Sequence, residues 1–364
     1  MKLWHIAALL VMGLLVGILH PGMLTDTFRT ATFFVFLPAL IFEGAWNLDF
    51  RLMRRAWQPI VLLAVPGVAI TAALIALILH RMGGVAPAIA LLTGAVLSAT
   101  DPVAVVAIFR RLAVPRAPAT IVESEALLND AIAVALYRAV LVSILAGVTA
   151  AHIGRIALAA LTGALEAIAL GAICGLLTAL LLRRSTGATV QTAATFIAAY
   201  GVYFFAEYFR WSGIFAVIAC AIAMRETERN AISLGVAQGV ERVWHGAATV
   251  ANVSLFFLIG TVVDVTHLWQ ERNLMLWALV AVLLARVVVS YGLLALVPRM
   301  RRSWMTLVRL AGVRGALSLA LAFAVPASIG GRQQVIDATF IVVVVTVLLS
   351  AIMIERQVSE LELQ

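Results

Sequence analysis

Residues 98–105 read SATDPVAV, which sets an acid and a helix breaker side by side within a long apolar run. Both are unfavourable there. An ionisable side chain at mid-membrane costs at least ~2.5 kcal/mol on insertion scales, so it needs a partner, a wet cavity or a task. Pro102 lacks an amide donor and disfavours helical geometry at the residue before it, so the helix is predicted to unwind around Thr100 and Asp101. Carbonyls freed at such a break can ligate a cation. Irregular backbone at membrane depth is tolerated where it lines a cavity, and discontinuous helices near the midplane mark ion sites in many secondary transporters. The alternative for this segment alone is a proline kink with a hydrogen-bonded aspartate.

The surrounding chain has the composition of a membrane protein. Its 364 residues are 63% apolar and only 12% charged, with a mean hydropathy of +1.07, a balance that a soluble domain of this length cannot keep out of aggregates. Apolar segments long enough to cross ~30 Å of hydrocarbon as helices recur from end to end. Twelve are predicted, near 4–20, 30–46, 57–80, 86–110, 119–147, 153–182, 190–209, 211–225, 243–263, 274–297, 303–328 and 334–355. The eighth is short, and its boundary with the seventh falls near AEYFRWSG. The fold class is therefore an all-α polytopic membrane protein of about 12 transmembrane helices.

A formal charge of +8 suggests nucleic acid, but the basic residues are scattered between spans and do not gather in one soluble module. They report orientation instead. With a cytoplasmic N-terminus, sixteen basic residues fall inside (Lys2, Arg51, Arg54, Arg55, Arg110, Arg111, Arg116, Arg183, Arg184, Arg225, Arg229, Arg242, Arg299, Arg301, Arg302 and Arg356). Six fall outside: Arg29, Arg81, Arg155, Arg210, Arg272 and Arg332. This bias predicts cytoplasmic N- and C-termini and an even number of spans. The opening MKLWHIAALLVMGLLVGILHPG has a lysine before an apolar core, but no small-residue cleavage site precedes a soluble domain, so it is read as the first span. Cys174 and Cys220 lie within spans and read as small core residues. No cofactor and no soluble catalytic module are expected.

The charges within spans include Glu43, Asp101, Glu125, Asp130, Glu166, Arg138, Arg286, Arg309 and Arg314. Spans four and five are consecutive and antiparallel, and Asp101 and Asp130 each lie near mid-span, so the two carboxylates share a depth. In ESEALLNDAIAVALYR, helical spacing stacks Glu125 with Asn129 and Ala126 with Asp130. Asp130 is the best candidate for direct contact with a monovalent cation. A buried carboxylate holds either a proton or a metal ion, but not both, which is sufficient for exchange if the site faces each side in turn. Glu125 needs a cation, and Arg286 near the middle of span ten is proposed as its structural partner; otherwise Glu125 points into a water-filled funnel. Arg314, flanked by Gly312 and Gly315 with Pro326 beyond, marks a second interrupted helix matching span four. Its guanidinium then offsets carbonyl ends and the acidic site, or it snorkels to the interface, as is expected of Arg309. Glu43 and Asn47, four apart at the end of span two, are candidates for a gate or a packing contact. His245 and Asn252 line a funnel or are satisfied core groups.

These residues match a known family. LPALIFEGAWNLD at 37–49, SATDPVAVV at 98–106, ESEALLND at 123–130, WSGIFAVIACAIAM, FFLIG at 256–260, ARVVVSY and GVRGALSLALA resemble, in order, the signatures of the monovalent cation:proton antiporters, which include the NhaP-type sodium/proton antiporters and the mammalian sodium/proton exchangers. The resemblance covers nearly the whole chain. It implies an inverted-repeat fold with two crossed discontinuous helices, in which 57–147 and 274–355 form the moving core, 1–56 and 190–263 a dimerisation scaffold, and 153–182 a linking helix. It implies that Asp130 binds the ion or proton, with Thr100 and Asp101 beside it, and that Glu125 and Arg286 are the family's buried pair. Asn129 marks the electroneutral branch, so one-for-one exchange is implied. Two departures stand out: Ala126 replaces the family's usual ligating serine, and the chain begins at what looks like the second of the family's thirteen spans.

The implied activity is exchange of a monovalent cation, sodium or lithium, for a proton across a bacterial plasma membrane, in a homodimer surrounded by lipid. Potassium/proton exchange is the alternative within the family. Outside it, an intramembrane aspartyl protease using Asp101 and Asp130 is disfavoured because their flanks, Ala-Thr and Leu-Asn, do not resemble those of such proteases. A cation channel is disfavoured because no carbonyl-rich filter loop is present.

Overall fold

A computed structural model describes residues 3–19, 32–101, 103–112, 114–147, 153–182, 187–228, 234–262, 265–298 and 300–360. The expectations placed on Lys2, Arg29, Pro102, Arg183, Arg184, Arg229, Arg299, the side chains of Arg110, Arg155 and Arg356, and the last four residues lie outside the described residues.

Among the described residues the secondary structure is helical, with no strand. One helical rod falls on each of the twelve apolar segments. The first is α1 (Leu3–Leu19), and the second is α2 (Leu37–Asn47), entered through a π-helical turn at Thr32–Phe36. The third is kinked between α3 (Trp57–Ala64) and α4 (Pro66–Arg81), because Pro66 cannot donate to the turn before it and instead opens a new helix. The fourth is broken into α5 (Pro87–Ser98) and α6 (Val103–Arg111). The fifth, α7 (Arg116–Ala146), runs unbroken for 31 residues and ends on Gly147, whose φ of 59° makes the left-handed cap.

Rods six to nine are α8 (Ile153–Leu182), α9 (Ala188–Tyr208), α10 (Gly213–Glu228) and α11 (Leu234–Val262). The tenth is α12 (Arg272–Val287), continued by a π-helical segment at Val288–Leu293. The eleventh is broken into α13 (Arg302–Leu310) and α14 (Ala316–Ala324), and the twelfth is α15 (Arg332–Glu360). Trp57–Arg81 and Arg272–Leu296, each 25 residues with mean hydropathies of 2.6 and 2.3, are among six that are long and apolar enough to cross a bilayer. α11 begins nine residues before the predicted start of span nine at 243. Hydropathy marks only what lies in hydrocarbon, whereas a helix continues as long as its backbone bonds do.

The chain divides into two compact units. The first contains α1, α3 to α7, residues 253–262 of α11, and α12 to α15. Within it 57–146 and 272–360 repeat one plan, a rod with a local irregularity (the Pro66 kink or the π-helical segment), a broken rod and a continuous rod. Its backbones approach closely. A Cβ built at Gly94 of α5 would stand 2.3 Å from the Ala72 carbonyl oxygen of α4, contact that small residues permit between membrane helices.

The second unit holds α2, α8 to α10 and the part of α11 up to Asn252. Its core is a stack of rings, with Trp244 4.1 Å from Phe42 and 4.0 Å from Phe196 between centroids. The indole N–H of Trp244 donates to Thr195 Oγ1 at 2.8 Å, so its polar end is satisfied. Gly171 and Gly175, one turn apart on α8, lie against the carbonyls of Ala216 and Cys220 on α10. Cys220 is buried and Cys174 partly exposed, both as free thiols.

Candidate functional site

Two interruptions meet in the first unit. α5 stops at Ser98, and Ala99 to Asp101 are non-helical before α6 resumes at Val103. α13 stops at Leu310, and the chain stays irregular until α14 starts at Ala316. The Asp101 N–H donates to the Val313 carbonyl at 2.8 Å, and the Ser318 hydroxyl reaches the Ala99 carbonyl at 3.4 Å. Backbone groups released by one break are thus taken up by the other, which is how irregular chain is tolerated away from water.

Glycine permits the crossing. A Cβ on Gly315 would stand 2.1 Å from Asp101 Oδ2 and 2.3 Å from Asp101 Cβ. Gly315→Ala is therefore expected to push the two breaks apart, lowering stability by about 1–3 kcal/mol. A thermal melt of the purified protein checks this.

Arg314 lies in the second break and is 1% exposed. It does not snorkel. Its backbone N–H donates to Thr346 Oγ1 of α15 at 3.2 Å, and its guanidinium to the Gly312 carbonyl at 3.2 Å. A fixed positive charge thus sits among carbonyl ends, within electrostatic reach of Asp130 and Glu125.

α7 passes beside the first break and presents Glu125, Asn129 and Asp130. The Asn129 amide donates to Thr100 Oγ1 at 3.2 Å, and the Asp130 carboxylate is hydrogen-bonded to the Thr100 backbone. Asn129 Oδ1 and Asp130 Oδ1 are covered and have no hydrogen-bond partner. Buried acceptors without donors are unfavourable and rare in folded proteins. Two of them on consecutive residues, beside a hydroxyl and a break, make an all-oxygen donor set suited to a hard cation. Asp130 as a whole is partly exposed, unlike Asn129 and Thr100, each 3% exposed. Asp101, Glu125 and Arg314 all act electrostatically on Asp130.

Glu125 does not open to a wet funnel. It is 2% exposed and held by Arg286 through two parallel bonds, NH1 to Oε1 at 2.7 Å and NH2 to Oε2 at 3.0 Å, the geometry a guanidinium fork gives with a carboxylate. NH2 also donates to the Val308 carbonyl near the end of α13, at 2.6 Å. Gly312 leaves room for the arginine stem, since a Cβ there would lie 2.5 Å from Arg286 Cγ. The helix widens to the π-helical segment within two residues of Arg286, and the Ser290 hydroxyl bonds to the Arg286 carbonyl.

Thr100, Asp101, Glu125, Asn129, Asp130, Arg286 and Arg314 are therefore gathered in the first unit. Glu43 and Asn47 belong to the second, where the Asn47 amide donates to Glu43 Oε1 at 3.0 Å and His245 Nδ1 lies 3.2 Å from the same oxygen. Glu166 is exposed on α8. Arg138 is partly exposed and engaged. Sequence reasoning passed over Thr346, whose only signal is a hydroxyl in an apolar run. It also passed over Asp337, which is fully buried and bonded to His267 and Gln333. The four-residue spacing of Gln333 and Asp337 was the available clue to that group.

The sequence profile described as "Sodium/hydrogen exchanger, transmembrane" matches residues 1–359. The chain belongs to that family. Among sodium/hydrogen exchanger relatives, it is 32% identical over 335 residues to the Na(+)/H(+) antiporter ApNhaP of Aphanothece halophytica, covering 90% of this chain and 64% of that protein. It is 33% identical over 332 residues to the low-affinity Na(+)/H(+) antiporter NhaS1 of a Synechocystis strain, covering 87% of this chain and 62% of that protein. The chain thus spans a little under two thirds of the length of these relatives. The exchanger fold is shared with the sodium proton antiporter MjNhaP1 from Methanocaldococcus jannaschii, with a TM-score of 0.84 over 98% of this chain and 92% of that one at 19% identity.

Proposed function

We propose that this protein is a secondary antiporter that exchanges a monovalent cation, sodium or lithium, for a proton by alternating access, one for one. The observation that carries the reading is the pair of covered, unpartnered oxygens on Asn129 and Asp130 beside the crossed breaks. Asp130 binds the cation or the proton, and Thr100 and Asn129 complete the shell with carbonyl oxygens of the broken segment. Asp101 sets the negative potential. Arg314 offsets carbonyl ends, and with an amide at Asn129 a single carboxylate, Asp130, exchanges one cation for one proton. Glu125 and Arg286 hold α7, α12 and α13 together and do not touch the ion.

The names of the relatives, Na(+)/H(+) antiporters, support the same chemistry. The termini are proposed to be cytoplasmic, from the arginine count. The segments 57–147 and 274–355 are proposed to form the moving core and 1–56 and 190–263 the scaffold through which a second copy docks, with 153–182 as the link, whereas α1 and residues 253–262 group with the core segments in the first compact unit. Glu43 and Asn47 with His245 form the candidate gate.

Dye-monitored proton movement in proteoliposomes, with sodium, lithium and potassium added in turn across a range of pH, tests the proposal. Sodium and lithium should each drive proton release from an acid interior. Cation flux without counter-movement of protons would mark a channel instead.

A further inference from the structure

Three exposed arginines stand at one end of the first unit, and none of the site chemistry above uses them. Arg54 and Arg55 close the short helix Phe50–Arg55, directly before α3, and Arg302 opens α13. They are distant in sequence, but rod ten brings them level. Gly67 of α4 faces the π-helical segment, where a Cβ on the glycine would lie 3.2 Å from Val289 Cγ1. From that contact onward, α3 packs along the π-helical segment and the tight turn Leu294–Leu296 that follows it. A rise of ~1.5 Å per residue, counted from the contact, brings Trp57 and Val297 to similar depths. On α13 the Thr306 hydroxyl meets the Tyr291 hydroxyl at 3.0 Å, and Arg302 lies one turn before Thr306. Rods three and eleven therefore both start beside the end of rod ten.

Neither 51–67 nor 287–308 contains an acidic residue, so positive charge collects there without a carboxylate in either stretch. Arg51 and Arg301, exposed at the same end and already engaged, add to the field. The rods leading away from this end present apolar side chains: Trp57, Val61 and Val65 are exposed at four-residue intervals on rod three, and Val288 and Leu296 on rod ten. A guanidinium fork matches the oxygens of a phosphate group. A free phosphate would have no use for the apolar surface, whereas a phospholipid has chains to lay along it.

The geometry points to a site for the phosphate headgroup of an anionic phospholipid, held by Arg54, Arg55 and Arg302, with its acyl chains along rods three and ten. This goes beyond the antiporter reading and does not rest on it. The end concerned is the one proposed to be cytoplasmic, where anionic lipids give the leaflet its negative surface potential. A bound headgroup braces the starts of rods three and eleven. α13 runs from Arg302 to the Val308 carbonyl that Arg286 holds, so the lipid secures one end of this half-helix and Arg286 the other.

Native mass spectrometry of the full chain in detergent, titrated with phosphatidylglycerol or with phosphatidylcholine, tests the site. The unmodified protein should retain phosphatidylglycerol in preference to phosphatidylcholine. Arg54→Gln and Arg302→Gln should each weaken that retention about fivefold, and the triple variant with Arg55→Gln by roughly a hundredfold, since each arginine near the headgroups contributes on the order of 1 kcal/mol. Arg81→Gln, which removes an exposed arginine at the far end of rod three, should leave retention unchanged. A thermal melt of each variant without added lipid should match that of the unmodified protein, because the three side chains are exposed; adding phosphatidylglycerol should then raise the melting temperature of the unmodified protein and not that of the triple variant. Equal retention of the two lipids, a preference that survives in the triple variant, or an equal loss in Arg81→Gln overturns the proposal. Displacement of the lipid by inorganic phosphate at comparable concentration also overturns it, by assigning the arginines to soluble anions. Each of these readings stands whether or not the protein exchanges ions, so failure of the antiporter reading leaves the lipid site to be decided separately.

Discussion

Replacing Asp130 by asparagine is expected to reduce cation/proton exchange to the leak of empty vesicles, while the protein still folds and melts near its usual temperature. The side chains are nearly the same shape, and Asn Oδ1 can keep the bond to the Thr100 backbone that Asp130 makes. What is lost is the charge. Asp130 Oδ1 has no hydrogen-bond partner, so no structural contact depends on it, and an amide can neither carry a proton through the cycle nor neutralise a cation. Asp101→Asn should be milder. Asp101 contributes its backbone N–H to the Val313 carbonyl, which an asparagine retains, while its electrostatic influence on Asp130 is lost. Proton movement in proteoliposomes, with a thermal melt of each variant, separates loss of chemistry from loss of fold.

The second large effect is structural. Arg286→Met is expected to lower stability by about 3–5 kcal/mol, because it leaves Glu125 buried without its partner. Glu125 is 2% exposed and receives both arms of the guanidinium, so no water takes over. Glu125→Gln alone leaves a buried cation and should be similarly harmful. The double variant should recover much of the loss, since a neutral pair of comparable volume removes both unmatched charges. A double-mutant cycle on melting temperatures checks this, and equal, additive losses would show that the two side chains act independently. Because Arg286 also holds the end of α13 through the Val308 carbonyl, some loss should persist in the double variant. Lost transport in either single variant therefore says nothing by itself about ion chemistry.

Much of the fold was legible because hydrocarbon makes each polar residue conspicuous. The breaks at Asp101 and at Gly312 to Gly315 could be read because proline and glycine interrupt helices for reasons local to the backbone. Arg286 could be paired with Glu125 because a charge within a span requires a partner and few were available. Hydroxyls gave no comparable signal. Thr346 and Ser318 fit any apolar helix, so their reach to Arg314 and Ala99 depends on which helices cross, and Ser290 bonds the Arg286 carbonyl one turn back in its own helix, as a serine in any helix can. Asp337 escaped notice because it sits near the predicted end of a span, where a carboxylate normally meets water. It is instead buried and bonded to His267, 70 residues away in sequence. The π-helical widening after Arg286 follows from packing and has no composition of its own.

Calorimetric titration of the purified protein with sodium, in buffers of different ionisation enthalpy and across a range of pH, counts the protons released as each cation binds. If Asp130 holds either ion but never both, each cation should displace one proton on the acid side, and apparent affinity should fall about tenfold for each unit by which pH is lowered. Sodium binding that is independent of pH and releases no proton would contradict the account.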